Sequence, residues 1–136
     1  MSEAPRRNEL GQPIGPALPD WRPPQRPLQQ KLSGRFCTVE PLDVARHARD
    51  LYEANSLDRE GRMWTYLFSG PFTSFEAYEG WLAARAPSED PLFQAFISHE
   101  SGRAVGLGSF MRIDPAAGSI EVGHIAMSPR LQRSPA

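Results

Sequence analysis

The stretch that decides the fold is Ile120-Glu-Val-Gly-His-Ile-Ala-Met-Ser-Pro-Arg-Leu-Gln-Arg-Ser-Pro-Ala136. Its first half alternates as a strand does, which predicts a strand over 119–127 with Glu121, Gly123 and Ile125 on one face and His124 on the other. Pro129 ends it, because proline offers no amide proton to a sheet ladder, and Ser128 reads as a polar strand end. Arg130, Gln132 and Arg133 then follow the strand end, a place where an anion can be held.

Outward from this segment, the turn Asp114–Gly118 leads back to a strand over 104–113, and the turn His99–Arg103 to a strand over 93–98 with Phe93, Ala95 and Ile97 on one face. Short turns bearing Gly or Pro between strands mean antiparallel hairpins, hence a three-strand meander. Upstream, Thr73 and Glu76 have the spacing of a capping box. The helix they open lines up Phe75, Tyr78 and Leu82 and stops before Pro87. Residues 58–72 are a loop loaded with Trp64, Tyr66, Phe68 and Phe72. Asp43 is placed to cap a helix over 44–57, whose buried stripe is expected at Ala45, Ala48, Leu51 and Tyr52. A first strand is expected over 35–42, with Cys37 and Val39 on one face and Pro41 at its end. Strand, helix, helix, then meander is an α+β order: two helices layered on one sheet.

Residues 1–33 hold seven of the 14 prolines and are expected to form an extended arm, with Leu18, Trp21 and Leu28 as its anchors. The arm either lies on its own domain or serves as a Pro-rich ligand for a partner. Residues 34–136 are then the folded domain, one domain by length.

Composition narrows the function. No apolar run is long enough to span a bilayer, and the N-terminal Met1-Ser-Glu-Ala-Pro-Arg-Arg7 has no apolar segment behind it, so neither a membrane span nor a secretory signal is expected. Cys37 is the only cysteine, which rules out an intrachain disulfide and multi-cysteine zinc sites and suits a reducing cytoplasm. A net charge of −1 provides no electrostatic footprint for nucleic acid. Cys37 lies mid-strand beside no activating group, no serine stands in a G-x-S-x-G elbow, and His47, His99 and His124 lack ligand spacing. Neither covalent catalysis nor a metal is expected.

Taken together, Ile120–Ala136, the segment Arg62-Met-Trp-Thr-Tyr-Leu67 ahead of Gly70-Pro71-Phe72, and Gly102-Arg-Ala-Val-Gly106 resemble the GNAT N-acetyltransferases. The RimJ/RimL-like branch, which includes ribosomal-protein N-terminal acetyltransferases, is the nearest. The likeness runs over roughly residues 8–136 and rests on the order and spacing of motifs that are individually weak. It implies an acetyl-CoA-dependent transfer of an acyl group to a primary amine, of a protein N-terminus or a small molecule. Backbone groups around Ile125, Ala126 and Met127 would pair with the pantetheine arm. Gln132, Arg133 and Ser134 would open the Q/R-x-x-G-x-G/A loop whose amides hold the pyrophosphate. Trp64, Tyr66 and Phe72 would wall the acceptor side. Glu121 would be the base, its pKa raised by burial in an apolar cleft, whereas an exposed Glu121 would pair with an arginine across the sheet.

Two departures from the pattern carry expectations of their own. Pro135 stands where the loop has glycine, and proline removes one amide donor. Ala136 falls inside the loop, so the sequence is expected to be the N-terminal half of such a domain, truncated before its next helix and strand. The alternative function is then an inactive fragment or interaction module. In either case the strand at 119–127 is expected to present an open edge prone to self-association.

Overall fold

The strands expected at 93–98, 104–113 and 119–127 are β3 (Leu92–Ser98), β4 (Ala104–Asp114) and β5 (Ser119–Met127) of a computed structural model that describes residues 5–136. Ahead of them come β1 (Leu32–Ser33), β2 (Cys37–Pro41), α1 (Val44–Asn55), a 3-10 turn at Arg62–Trp64, and α2 (Phe75–Ala83). All strands pair antiparallel in the order β1-β2-β3-β4-β5, with β5 at the edge. This is the expected α+β architecture. Residues 1–4, the start of the segment scanned for a signal sequence, lie outside the described residues.

Both helices cover the sheet face that carries Phe93, Ile97, Ala104, Leu107 and Ala126. From α1 come Ala48 and Leu51, and from α2 Tyr78 and Leu82, all essentially sealed from solvent. Burying side chains of this size contributes about 1.5–3 kcal/mol each for the larger ones. The Tyr78 phenol is pushed up from its ordinary pKa by that burial, although Asn55 donates to its oxygen at 3.3 Å.

Three local expectations are corrected. The buried stripe of α1 is His47, Ala48, Leu51, Ala54 and Asn55, with Tyr52 half-buried and Ala45 exposed. The helix also ends at Asn55, where Ser56 donates its hydroxyl back to the Tyr52 carbonyl at 2.7 Å and competes with the next helical turn. In α2 the cap is Ser74, whose Oγ accepts the Ala77 N–H at 3.1 Å, not Thr73. Only the residue immediately before the first helical one, with an extended backbone, aims its oxygen at that amide.

The inward face of β2 is polar. Thr38 and Glu40 are buried toward the helices, while Cys37 and Val39 share the other face. Glu40 is tolerated there because it is fully engaged. His47 Nδ1 accepts the Asp43 backbone N–H at 3.0 Å, so Nε2 carries the proton and donates to Glu40 Oε1 at 2.9 Å. Arg46 reaches the same oxygen at 2.7 Å, and Lys31 lies 3.9 Å from the other. Burial alone would raise the Glu40 pKa. The His47 hydrogen bond and the two cations outweigh it and hold the carboxyl below its ordinary value.

The aromatic loop folds onto the core through Gly70. Its φ is +79°, and a Cβ there would stand 2.4 Å from the Trp64 ring, so only glycine lets the chain pass over the indole. The end of the arm is held by the β1–β2 pairing, and its earlier part is fastened through Trp21 and Arg26, whereas Leu18 and Leu28, expected as anchors, are largely exposed. Trp21 lies against Gly118 in the β4–β5 turn, and Arg26 sits 3.7 Å from Asp90.

Candidate functional site: the edge of β5

Two β-bulges shape this edge. Between the pairs Met111↔Glu121 and Asp114↔Ser119, β4 holds one residue more than β5, and Arg112 takes φ 48°. Asp90 fixes this bulge by accepting the Arg112 N–H at 2.9 Å and the Ile113 N–H at 3.0 Å. Between Ser109↔Gly123 and Leu107↔Ala126 the extra residue is in β5, and His124 takes φ 49°. Glu121, Gly123 and Ala126 consequently share the helix-bearing face with Met111, Ser109 and Leu107.

The second bulge overturns the alternation expected for His124. Its ring does not lie on the far face. It stacks on Trp81 of α2 with centroids 5.4 Å apart and meets Phe93 of β3 edge to face at 5.2 Å. His124 Nε2 is enclosed with no hydrogen-bond partner, and so is Trp81 Nε1. Burial, and then the charge of Arg85, lower the His124 pKa from its ordinary value. Arg85 itself lies over the Trp81 ring, 4.2 Å from its centroid.

Glu121 is not in an apolar cleft. Its side chain is 44% exposed and pairs with Arg112 at 3.2 Å, the cross-strand arrangement weighed against burial. Its carboxylate leans over Gly123, where a Cβ would lie 3.1 Å from Oε1.

Further along the strand, Ile125 and Met127 are exposed and Ala126 is buried. No strand pairs with the outer side of β5 among the described residues. After β5 the chain tightens into a turn. The Leu131 and Gln132 amides both donate to the Ser128 carbonyl, at 2.9 and 3.1 Å. Leu131 is buried, and a Cβ on Gly106 would lie 2.6 Å from its Cδ2. The Gln132 side chain donates to the Met127 carbonyl at 2.8 Å, Arg133 takes φ 60°, and Ser134 donates to the Leu131 carbonyl at 2.6 Å. The turn leaves Arg130 and Arg133 both exposed beside the strand end.

The expected acceptor wall separates. Trp64 is buried and meets Phe72 edge to face at 5.4 Å, and both border a cavity of ≈ 50 Å³ with Tyr52, Asn55 and Tyr78. Tyr66 projects into solvent at 97% exposure. The structure thus brings Trp64 and Phe72 together and leaves Tyr66 out. His124 and Trp81 were not identified as site residues from the sequence, and the signal that would have found them is the bulge, which simple alternation does not register. Among the described residues no group of three or more His, Cys, Asp or Glu is placed to hold a metal, and no helix is long and apolar enough to cross a membrane.

The architecture has solved counterparts. A GCN5-related N-acetyltransferase from Brucella melitensis is similar at 37% identity over 87% of this chain and 53% of its own, with a TM-score of 0.83. A protein described as a probable acetyltransferase of the GNAT family from Chromobacterium violaceum is similar at 29% identity over 91% of this chain and 62% of its own, with a TM-score of 0.76. These structural neighbours are GNAT acetyltransferases. The fold of a putative acetyltransferase from T. thermophilus, at 20% identity over 80% of this chain and 54% of its own and a TM-score of 0.65, is shared as architecture alone. The chain spans between half and two thirds of the length of the first two neighbours. No protein-family model and no curated protein matches it.

Proposed function

We propose that this chain carries the acceptor-side half of an acetyl-CoA-dependent N-acetyltransferase, of the RimJ/RimL-like kind, acting on a primary amine of a protein N-terminus or a small molecule. The observation that carries the reading is the edge of β5. An unpaired strand edge flanked by exposed Ile125 and Met127 runs into a turn bearing two arginines, beside aromatic walls on α2 and β3. A strand edge offers backbone donors and acceptors to an extended amide chain such as pantetheine. Ile125, Ala126 and Met127 would hold that arm. Gln132, Arg133 and Ser134 belong to the turn at the phosphate end, where the arginines supply positive charge. The acetyl group reaches the site as the coenzyme's thioester, which is the acyl donor when bound.

The residues of the chain do the remainder. The amine must be neutral to attack, so a proton acceptor is required close to β5. Glu121, exposed and paired with Arg112, suits a relay through water to solvent better than direct contact. Trp64 and Phe72 shape the acceptor side, and Tyr66, in solvent, lies outside it. The lone cysteine supports a cytoplasmic setting, with residues 1–33 as an arm and 34–136 as the catalytic half-domain.

The test is turnover with acetyl-CoA and a primary amine, alongside calorimetric titration of acetyl-CoA. Glu121→Gln is expected to leave the heat of binding unchanged and slow turnover about tenfold, below the usual range for loss of a group in direct contact. No heat at millimolar acetyl-CoA refutes the binding reading, and an unchanged rate in Glu121→Gln refutes the relay. A second reading, a non-catalytic association module, draws on the exposed Ile120, Val122, Ile125 and Met127 along β5. It requires sedimentation velocity to show oligomers at high concentration, and a sharp monomer boundary counts against it.

A further inference from the structure

We infer that His124 is the catalytic residue that takes the proton from the attacking amine, and that the β5 bulge is what places it there. The inference rests on the acetyl-transfer reading above and assigns the step that reading leaves open.

The geometry is specific. In regular alternation His124 would leave the helix-bearing face. The extra residue between Gly123 and Ala126 turns it onto that face at φ 49°, a left-handed conformation that a non-glycine residue adopts only at a cost. The ring is then gripped by Trp81 from α2 and Phe93 from β3, at 5.4 and 5.2 Å. It lies one residue from Ile125, where the proposed pantetheine edge begins. Nε2 is enclosed against aromatic surface with no oxygen or nitrogen to receive its proton. With Nε2 enclosed, Nδ1 is the nitrogen left to take up a proton, on a residue that is half-buried.

The electrostatics agree. Burial disfavours the imidazolium, and Arg85, held over Trp81, repels it, so the ring is neutral and ready to accept at neutral pH. The other charged groups nearby are Glu121 and Arg112, three residues back on β5 and across on β4, already paired with each other.

The step balances without a further reactant. The amine nitrogen attacks the thioester carbonyl and the N–C bond forms. The nitrogen's proton passes to Nδ1 and the C–S bond breaks. The leaving thiolate takes the proton back from the imidazolium, giving amide and free thiol, with Glu121 exchanging protons with solvent.

The experiment is the pH profile of kcat/KM with acetyl-CoA and a weakly basic amine whose own ionisation lies below the range scanned. Wild type should lose activity on the acid side as an imidazole protonates. His124→Gln should lower kcat about 100-fold, keep the KM for acetyl-CoA, and lose that acid limb. A residue that only packs would change stability or KM and leave the limb in place. Wild type that turns over while His124→Gln keeps the limb overturns the role of His124 alone. Wild type without turnover overturns the acetyl-transfer reading, and the inference with it. If His124→Gln does not fold, proton NMR of the wild type decides. Its His124 resonance must titrate below the ordinary 6.5 and shift on addition of acetyl-CoA, and titration at or above that value with no shift overturns the assignment.

Discussion

Replacing His47 by alanine removes the ring that ties α1 to β2. Two hydrogen bonds go with it: Nε2 to Glu40 at 2.9 Å, and the Asp43 N–H to Nδ1 at 3.0 Å. The His47 and Glu40 side chains are only 3% and 7% exposed, so water cannot take the ring's place at full value. A hydrogen bond to a buried charged acceptor is worth about 1.5–3 kcal/mol. The Asp43 amide, at the exposed helix start, can turn to water and adds little. Alanine's better helix propensity returns about 0.5 kcal/mol. Arg46, 2.7 Å from the same Glu40 oxygen, keeps the carboxylate partly satisfied. The expected net loss is about 2 kcal/mol, a fall in Tm of roughly 5–10 °C for a domain of this size. Urea unfolding followed by tryptophan fluorescence measures it. The same substitution in a Glu40→Gln background should cost at least about 1 kcal/mol less, because groups in direct contact are not additive. A loss below about 0.5 kcal/mol, or an equal loss in both backgrounds, refutes the network as the tie between the two elements.

The acid limit should follow Glu40. Its folded pKa lies below the ordinary 4.5, so its contribution is fully present above that value and is lost as pH falls through the folded pKa. From about pH 5 downward, wild type should therefore lose stability more steeply than Glu40→Gln in urea melts, and parallel curves would exclude the effect. Gly70→Ala should cost at least about 2 kcal/mol by adding left-handed strain to the displacement of the buried Trp64 ring, with a red-shifted emission as that ring is dislodged; an unchanged spectrum and midpoint would contradict it. Asp90→Ala should release the Arg112 bulge and the Arg26 anchor together, seen as faster amide exchange at Arg112 and Ile113 and earlier proteolysis of the arm; protection as in wild type would show that the carboxylate holds neither.

The meander, the two helices and their order were readable from the sequence because period-two and period-3.6 patterns and Gly/Pro turns are local signals. Tyr78 and Leu82 follow from helical spacing alone. What escaped was set by contacts between distant segments. The inward side of β2 is the polar pair Thr38 and Glu40, because His47, seven residues beyond Glu40, brings the partner that makes a buried carboxylate tolerable. The face of His124 is set by one additional residue in β5, and no rule of alternation reports a bulge. Glu121 shows the limit at the candidate site. The residue could be named from its strand, but its exposure depends on Arg112, which is aimed by a bulge that Asp90 stabilises from the segment before β3. Trp64 and Tyr66, two residues apart in a loop, have opposite fates, one in the core and one in solvent, because Gly70 closes over the first and nothing covers the second.

The claim that the β5 edge receives the coenzyme is tested most directly by backbone amide NMR of the chain titrated with acetyl-CoA. The account predicts the largest shifts at Ile125, Ala126 and Met127, with a second group in the turn from Arg130 to Ser134. Spectra that stay unchanged up to millimolar acetyl-CoA, or shifts confined to residues away from β5, would contradict it.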